Sequence, residues 1–82
     1  MKEIVRLDQI APGESATVYA LQNEGSIRRR LSDIGLIEET PIRCVGRSPL
    51  GDPTAYLIRG AVIAIRREDA RQILVVRCDR GG

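Results

Sequence analysis

Three consecutive arginines, Arg28, Arg29 and Arg30, follow Ile27 and precede Leu31 and Ile34. The apolar three recur at spacings of four and three, which places them on one face of a helix and the arginines in its first turn. Cations there oppose the helix macrodipole, which favours Asp or Glu at that end by roughly a few tenths of a kcal/mol each. A local rule broken without compensation marks function, and arginine-rich faces supply interface hot spots. Arg29 lies farthest from the apolar stripe, with Arg28 and Arg30 on its flanks. The competing reading is structural: the flanking stems lie over the protein body, and Arg29 pairs with Asp33 four residues on. A second cluster, Pro49-Leu50-Gly51-Asp52-Pro53, is the densest turn signal in the chain. Leu50 falls inside it and outside any alternating strand, so it either folds back as a lid, the favoured expectation, or projects as an anchor for a partner. Asp52 is expected to supply a turn or capping hydrogen bond.

Catalytic and metal chemistry find little material. The 82 residues include no histidine, so Ser-His-Asp and Cys-His nucleophiles and most zinc sites cannot be assembled. Glu38, Glu39 and Asp52 are hard oxygen donors without a recognisable ligand spacing, and Cys44 and Cys78 are two separated thiols. The expectation is therefore no catalytic residue, no metal site and no cofactor. The cysteines are read as buried, reduced core residues. Thirteen basic residues against 11 acidic ones leave a formal charge of +2, too small for a field that holds polyanions. With no Trp, no Phe and only Tyr19 and Tyr56, the stacking platforms of single-strand binders are missing as well. Nucleic acid is thus a disfavoured partner.

The elements that must position these groups are short. Residues 4–7 form an apolar lead, and 11–14 a turn around Pro12-Gly13. Residues 16–21 alternate as a strand, with Ala16, Val18 and Ala20 on one face and Thr17, Tyr19 and Leu21 on the other. Ser26 is placed to cap a helix that ends near Ile34, where Gly35 suits a left-handed residue. Residues 41–47 alternate again, with Ile42 and Cys44 inward. Two extended runs, 55–59 and 62–65, are joined by a tight Gly60-Ala61 turn. Residues 67–73 predict one or two helical turns, 73–78 a closing strand, and 79–82 a frayed tail. The chain is read as one domain over 1–82, mainly β with two short helices. Five or six short strands are too little sheet for two layers, so closure into a small β-barrel is expected to remove the edges. No apolar run has the length of a signal peptide or a membrane span, which predicts a cytoplasmic location.

The order of these features resembles the FeoA family. The resemblance rests on Pro12-Gly13, on Arg29-Arg30-Leu31-Ser32-Asp33-Ile34-Gly35-Leu36, on Pro49-Leu50-Gly51-Asp52-Pro53 and on Ala64-Ile65-Arg66-Arg67-Glu68-Asp69-Ala70. It covers residues 4–76. It implies an SH3-like β-barrel and a non-enzymatic accessory or regulatory role in ferrous iron transport, with docking on the cytoplasmic, GTPase-bearing part of the FeoB transporter. Related domains occur at the ends of iron-dependent repressors. The candidate partner-binding residues are Arg28, Arg29, Arg30, Leu36, Leu50 and Asp52. Small-barrel nucleic-acid binding and a ferrous iron sensor or carrier are the alternatives, and a weak homodimer through an exposed edge strand or the Leu50 loop stays open. One departure is local: where many members carry Pro-Gly after the Gly-Leu pair, this chain has Glu38-Glu39. Glu tolerates positive φ poorly, so a type I turn is expected there in place of type II.

Overall fold

The computed structural model describes residues 3–77. Cys78 and the tail from 79 onward, on which expectations were placed, lie outside those residues. The elements run β1 (Ile4–Arg6), a 3-10 turn (Leu7–Gln9), β2 (Ser15–Leu21), α1 (Gly25–Asp33), β3 (Pro41–Arg47), β4 (Thr54–Ile58), β5 (Ala61–Ile65), α2 (Arg67–Ala70) and β6 (Ile73–Arg77). Six strands form one antiparallel sheet in the order β1-β6-β2-β3-β4-β5.

The inward side chains follow from alternation and from two places where it is interrupted. In β2, Ala16 and Val18 are buried, but the period-2 reading fails beyond them: Leu21 is buried and Ala20 is not. Val18 pairs with Val75 and Ala20 with Leu74, so Tyr19 is an extra residue in a bulge that turns the rest of the strand over. Val45 is a second such residue, between the pairs Cys44 with Tyr56 and Gly46 with Ala55. Bulges bend the strand and increase its twist, which lets a single sheet curl around one core. That core joins Leu7 and Ile10 from the 3-10 turn to Ile42, Tyr56, Ile58, Ile73 and Val75 from the strands, with Leu31 and Leu36 from α1 and its exit.

The expected closure of the ladder is not found. Among the described residues β1 and β5 remain the two ends of the sheet. Instead α1 lies along β5, and its apolar face, Ile27, Leu31 and Ile34, lines a groove with Ile63, Ala64 and Ile65. The helix therefore flanks the open side of the sheet across a groove and leaves β5 without a second strand neighbour among the described residues.

The β4–β5 hairpin turns one residue earlier than the sequence suggests. Ile58 pairs with Ala61, so the loop is Arg59-Gly60 rather than Gly60-Ala61. Both loop residues take positive φ, +51° and +83°, as a two-residue type I′ turn requires. Arg59 is not an obvious residue for that conformation, and the reason it is tolerated lies in its contact with the exit of α1.

Candidate functional site

The helix that carries the arginines begins at Gly25 rather than after Ser26. Glu24 holds the N-cap position without a side-chain capping bond, and Ser26 falls inside the first turn. The entry is held from the other side. Arg28 Nη1 donates to the carbonyls of Leu21 at 2.9 Å and Asn23 at 3.4 Å, and Asn23 Nδ2 donates to the carbonyl of Asp69 at 3.0 Å. Arg28 is thus a clamp on the strand-to-helix loop. At the exit, Gly35 N donates to the Ser32 carbonyl and Leu36 N to the Leu31 carbonyl, both at 2.9 Å, which closes the helix through a left-handed Gly35 with φ +89°. Arg59 Nε donates to the Gly35 carbonyl at 2.9 Å. A Cβ at position 35 would stand 2.6 Å from both Cδ and Nε of Arg59, so a side chain there would displace the Arg59 stem from its bond to the Gly35 carbonyl, in addition to the cost of φ +89°.

Arg29 and Arg30 are different. Both are exposed, and the predicted Arg29 to Asp33 pair does not form; the ion pairs among the described residues belong to Arg6 and Arg77. The triplet therefore divides into one structural clamp and two cations with no carboxylate partner among the described residues. Arg30 borders the groove between α1 and β5, which encloses ≈ 400 Å³.

The 49–53 loop reaches the same groove through Pro53. Ser48 N donates to the Pro53 carbonyl at 3.1 Å and Gly51 N to the Ser48 carbonyl at 2.8 Å, so the loop folds on its own backbone, with a cis Asp52-Pro53 bond. Leu50 is left at its tip, 92% exposed. The lid expectation is overturned, because the local bonds turn position 50 away from the core. Asp52 meets its structural expectation: its Oδ1 accepts from Arg67 N at 2.9 Å and satisfies the first turn of α2.

Leu36 is corrected as a contact residue. It is 0% exposed and belongs to the core, so it presents nothing to a partner. The adjoining turn also departs from expectation. Thr40 N donates to the Ile37 carbonyl at 3.2 Å and Glu39 takes φ +69°, the geometry of a type II turn in spite of the glutamate. Pairing with β2 imposes it: Glu39 N donates to the Val18 carbonyl at 2.7 Å, and Val18 N to the Thr40 carbonyl at 2.9 Å. Buried Thr40 adds a bond from its Oγ1 to the Gly35 carbonyl at 3.1 Å.

The interior carries two groups that burial holds neutral. Burial pushes the Cys44 thiol up, and Cys44 is free. Burial also pushes the Tyr56 hydroxyl up to about 12, with neighbouring Cys44 adding to the effect. Neither is placed to act as a nucleophile or base at neutral pH. Among the described residues no three acidic or cysteine side chains converge as a metal cage. What the structure brings to one groove is Arg30 and Pro53 with the apolar edge of β5. Arg28 faces elsewhere and Leu36 faces inward. Arg59 was missed by the sequence reading, and its only signal was the Arg-Gly pair between two strands.

The FeoA domain model matches residues 5–77. The chain belongs to the FeoA domain family. A relative from Porphyromonas gingivalis, an Fe(2+) transport protein A/Fe(2+) transporter FeoB fusion protein, is 32% identical over 71 residues, which is 87% of this chain. The chain spans 8% of that relative's length. The solution structure of the FeoA protein of Chlorobium tepidum is 31% identical with a TM-score of 0.85, covering 95% of this chain and 73% of that one. The zinc complex of Stenotrophomonas maltophilia FeoA, a prokaryotic SH3 domain protein, is 25% identical with a TM-score of 0.76, covering 87% and 88%. The FeoA fold is thus mainly β and SH3-like, with its ladder open here at β1 and β5. Through the fusion relative the family is linked to ferrous iron transport.

Proposed function

We propose that this FeoA domain is a non-enzymatic, cytoplasmic accessory module of ferrous iron transport that docks on the GTPase-bearing region of a FeoB transporter. The observation that carries the reading is the groove beside α1, which Arg30 and Pro53 both border; Arg29 and Arg30 are exposed without carboxylate partners among the described residues, and the loop that ends at Pro53 leaves Leu50 exposed at its tip. Arginine is among the residues that dominate interface hot spots, and an exposed apolar side chain at a loop tip offers a partner surface to bury. The fusion relative supports the choice of partner, because it joins the two proteins in one chain. Within this reading Arg29, Arg30 and Leu50 touch the transporter. Asp52 acts indirectly by fixing the loop to α2, and Arg28 by fixing the entry to α1.

The test is retention of the protein by its matching solubilised transporter. Arg29→Glu and Leu50→Arg are each expected to weaken retention by about tenfold or more, since the first reverses the sign of a contact charge and the second replaces an apolar anchor with a charge that docking would have to desolvate. Unchanged retention of both variants would remove this surface from consideration.

A further inference from the structure

From the free edge of β5 we infer a binding site for an extended peptide segment, apolar in its centre and acidic at its ends, which adds to the sheet as a seventh strand. The Arg59-Gly60 loop makes Ile58 and Ala61 the closing hydrogen-bonded pair of the hairpin. Antiparallel bonding alternates from that pair, so Ala61, Ile63 and Ile65 direct their N–H and C=O groups to β4. The same groups of Val62 and Ala64 face outward, and among the described residues β5 has no second neighbour.

Edge strands are ordinarily protected by a charge, a proline or a bulge within the strand. This one has none of these: its residues are Ala61, Val62, Ile63, Ala64 and Ile65, its pairing with β4 is regular, and Val62 is 63% exposed. The edge opens on the groove of ≈ 400 Å³ whose far wall is the apolar face of α1. A strand added there satisfies the backbone of Val62 and Ala64 and puts alternate side chains against Ile27, Ile34 and Ile63.

Charge selects the occupant. Arg59 stands at one end of β5 and Arg66 with Arg67 at the other, while Arg30 faces the strand across the groove. Glu68 and Asp69 also border the groove, yet none of these four arginines is paired with a carboxylate among the described residues. A second copy of the chain is a poor occupant. The two-fold register that uses both outward residues pairs Val62 of each copy with Ala64 of the other, which brings Arg59 of each toward Arg66 and Arg67 of the other, and like charges placed opposite oppose pairing. Acidic residues flanking an apolar segment remove that opposition.

The test uses a nine-residue peptide that alternates valine and threonine between two terminal aspartates, and a control with lysines at both ends. Saturation with the aspartate peptide is expected to slow amide exchange at Val62 and Ala64 by about tenfold or more, and the lysine peptide to bind at least about fivefold more weakly. Ala64→Pro deletes an outward N–H at an edge position where proline is tolerated, and is expected to weaken binding about tenfold with an unchanged circular dichroism spectrum. If that variant does not fold, N-methylation of the peptide's valines supplies the same deletion from the other side. Unaltered exchange at Val62 and Ala64 with about 1 mM aspartate peptide overturns the site. Equal binding of the two peptides overturns the acidic ends, and concentration-dependent dimerisation that protects the same amides without peptide assigns the edge to a second copy and overturns the inference. None of these outcomes depends on retention by the transporter, so the two readings fail separately.

Discussion

Gly35 and Arg59 stand 24 residues apart and each makes the other's backbone workable. Gly35 at φ +89° ends α1 and leaves room for the Arg59 stem; Arg59 at φ +51° opens the β4–β5 hairpin and donates to the Gly35 carbonyl. A methyl group at position 35 adds a left-handed penalty and a collision with the stem of Arg59. Gly35→Ala is therefore expected to lower unfolding free energy by about 2 kcal/mol, measured by urea titration. The double variant with Arg59→Ala recovers the part due to the collision and leaves the part due to φ. Additive losses in the double-mutant cycle would show that the two residues do not meet as described. Gly35 was legible in the sequence because a glycine after a helical stripe has a specific local meaning. Arg59 was not, because its conformation is set by a residue distant in the chain. Glu39 was misread for the same reason: the two-sided pairing of Val18 with Glu39 and Thr40 overrides a local preference that counts against glutamate.

At the scale of elements, the 49–53 loop separates into a structural half and an exposed half, and the two predict opposite outcomes. Asp52 satisfies a backbone N–H of α2, a helix of a single turn with no other side-chain cap, so Asp52→Ala is expected to cost about 1 kcal/mol. Leu50 touches no core residue, so Leu50→Arg is expected to leave stability within about 0.5 kcal/mol while weakening transporter retention. Denaturant midpoints of the two variants, taken with their retention, separate positioning from contact; a large loss of stability in Leu50→Arg would contradict the exposed tip. Element order, the apolar stripe of α1 and the capping role of Asp52 could be read from spacing and residue type. The bulges at Tyr19 and Val45 could not, since an extra residue in a strand is fixed by its partner's register and leaves no mark on its own alternation. The burial of Leu36 escaped for a related reason, because a residue just past a helix has no period to announce its face.

For the whole molecule, one consequence of curling a single sheet around one core is that Tyr56 and Cys44, adjacent in the β3–β4 pairing, are both sealed from water. Ionising either inside the fold is unfavourable, and in the unfolded chain it is not. The sign follows: for a group whose folded pKa is raised, the unfolded state releases its proton first as pH climbs, so stability is complete below the unfolded value and falls as pH rises toward the folded one. The decline begins near pH 9 with Cys44 and continues from 10 to about 12 with Tyr56, whose share amounts to roughly 2 to 3 kcal/mol. The Tyr56 hydroxyl makes only a long 3.5 Å approach to the Leu7 carbonyl, so Tyr56→Phe is expected to change stability at pH 7 by less than about 1 kcal/mol. The same variant removes the Tyr56 share of the alkaline loss. Urea midpoints of both proteins measured from pH 8 to 11.5 check this: curves that fall in parallel would show that the alkaline sensitivity arises elsewhere. A loss of the phenylalanine variant relative to the native protein above pH 10 would contradict the burial of the hydroxyl, whereas a gain relative to the native protein over that range, whichever of the two is more stable at pH 7, is the result that the sealed core requires.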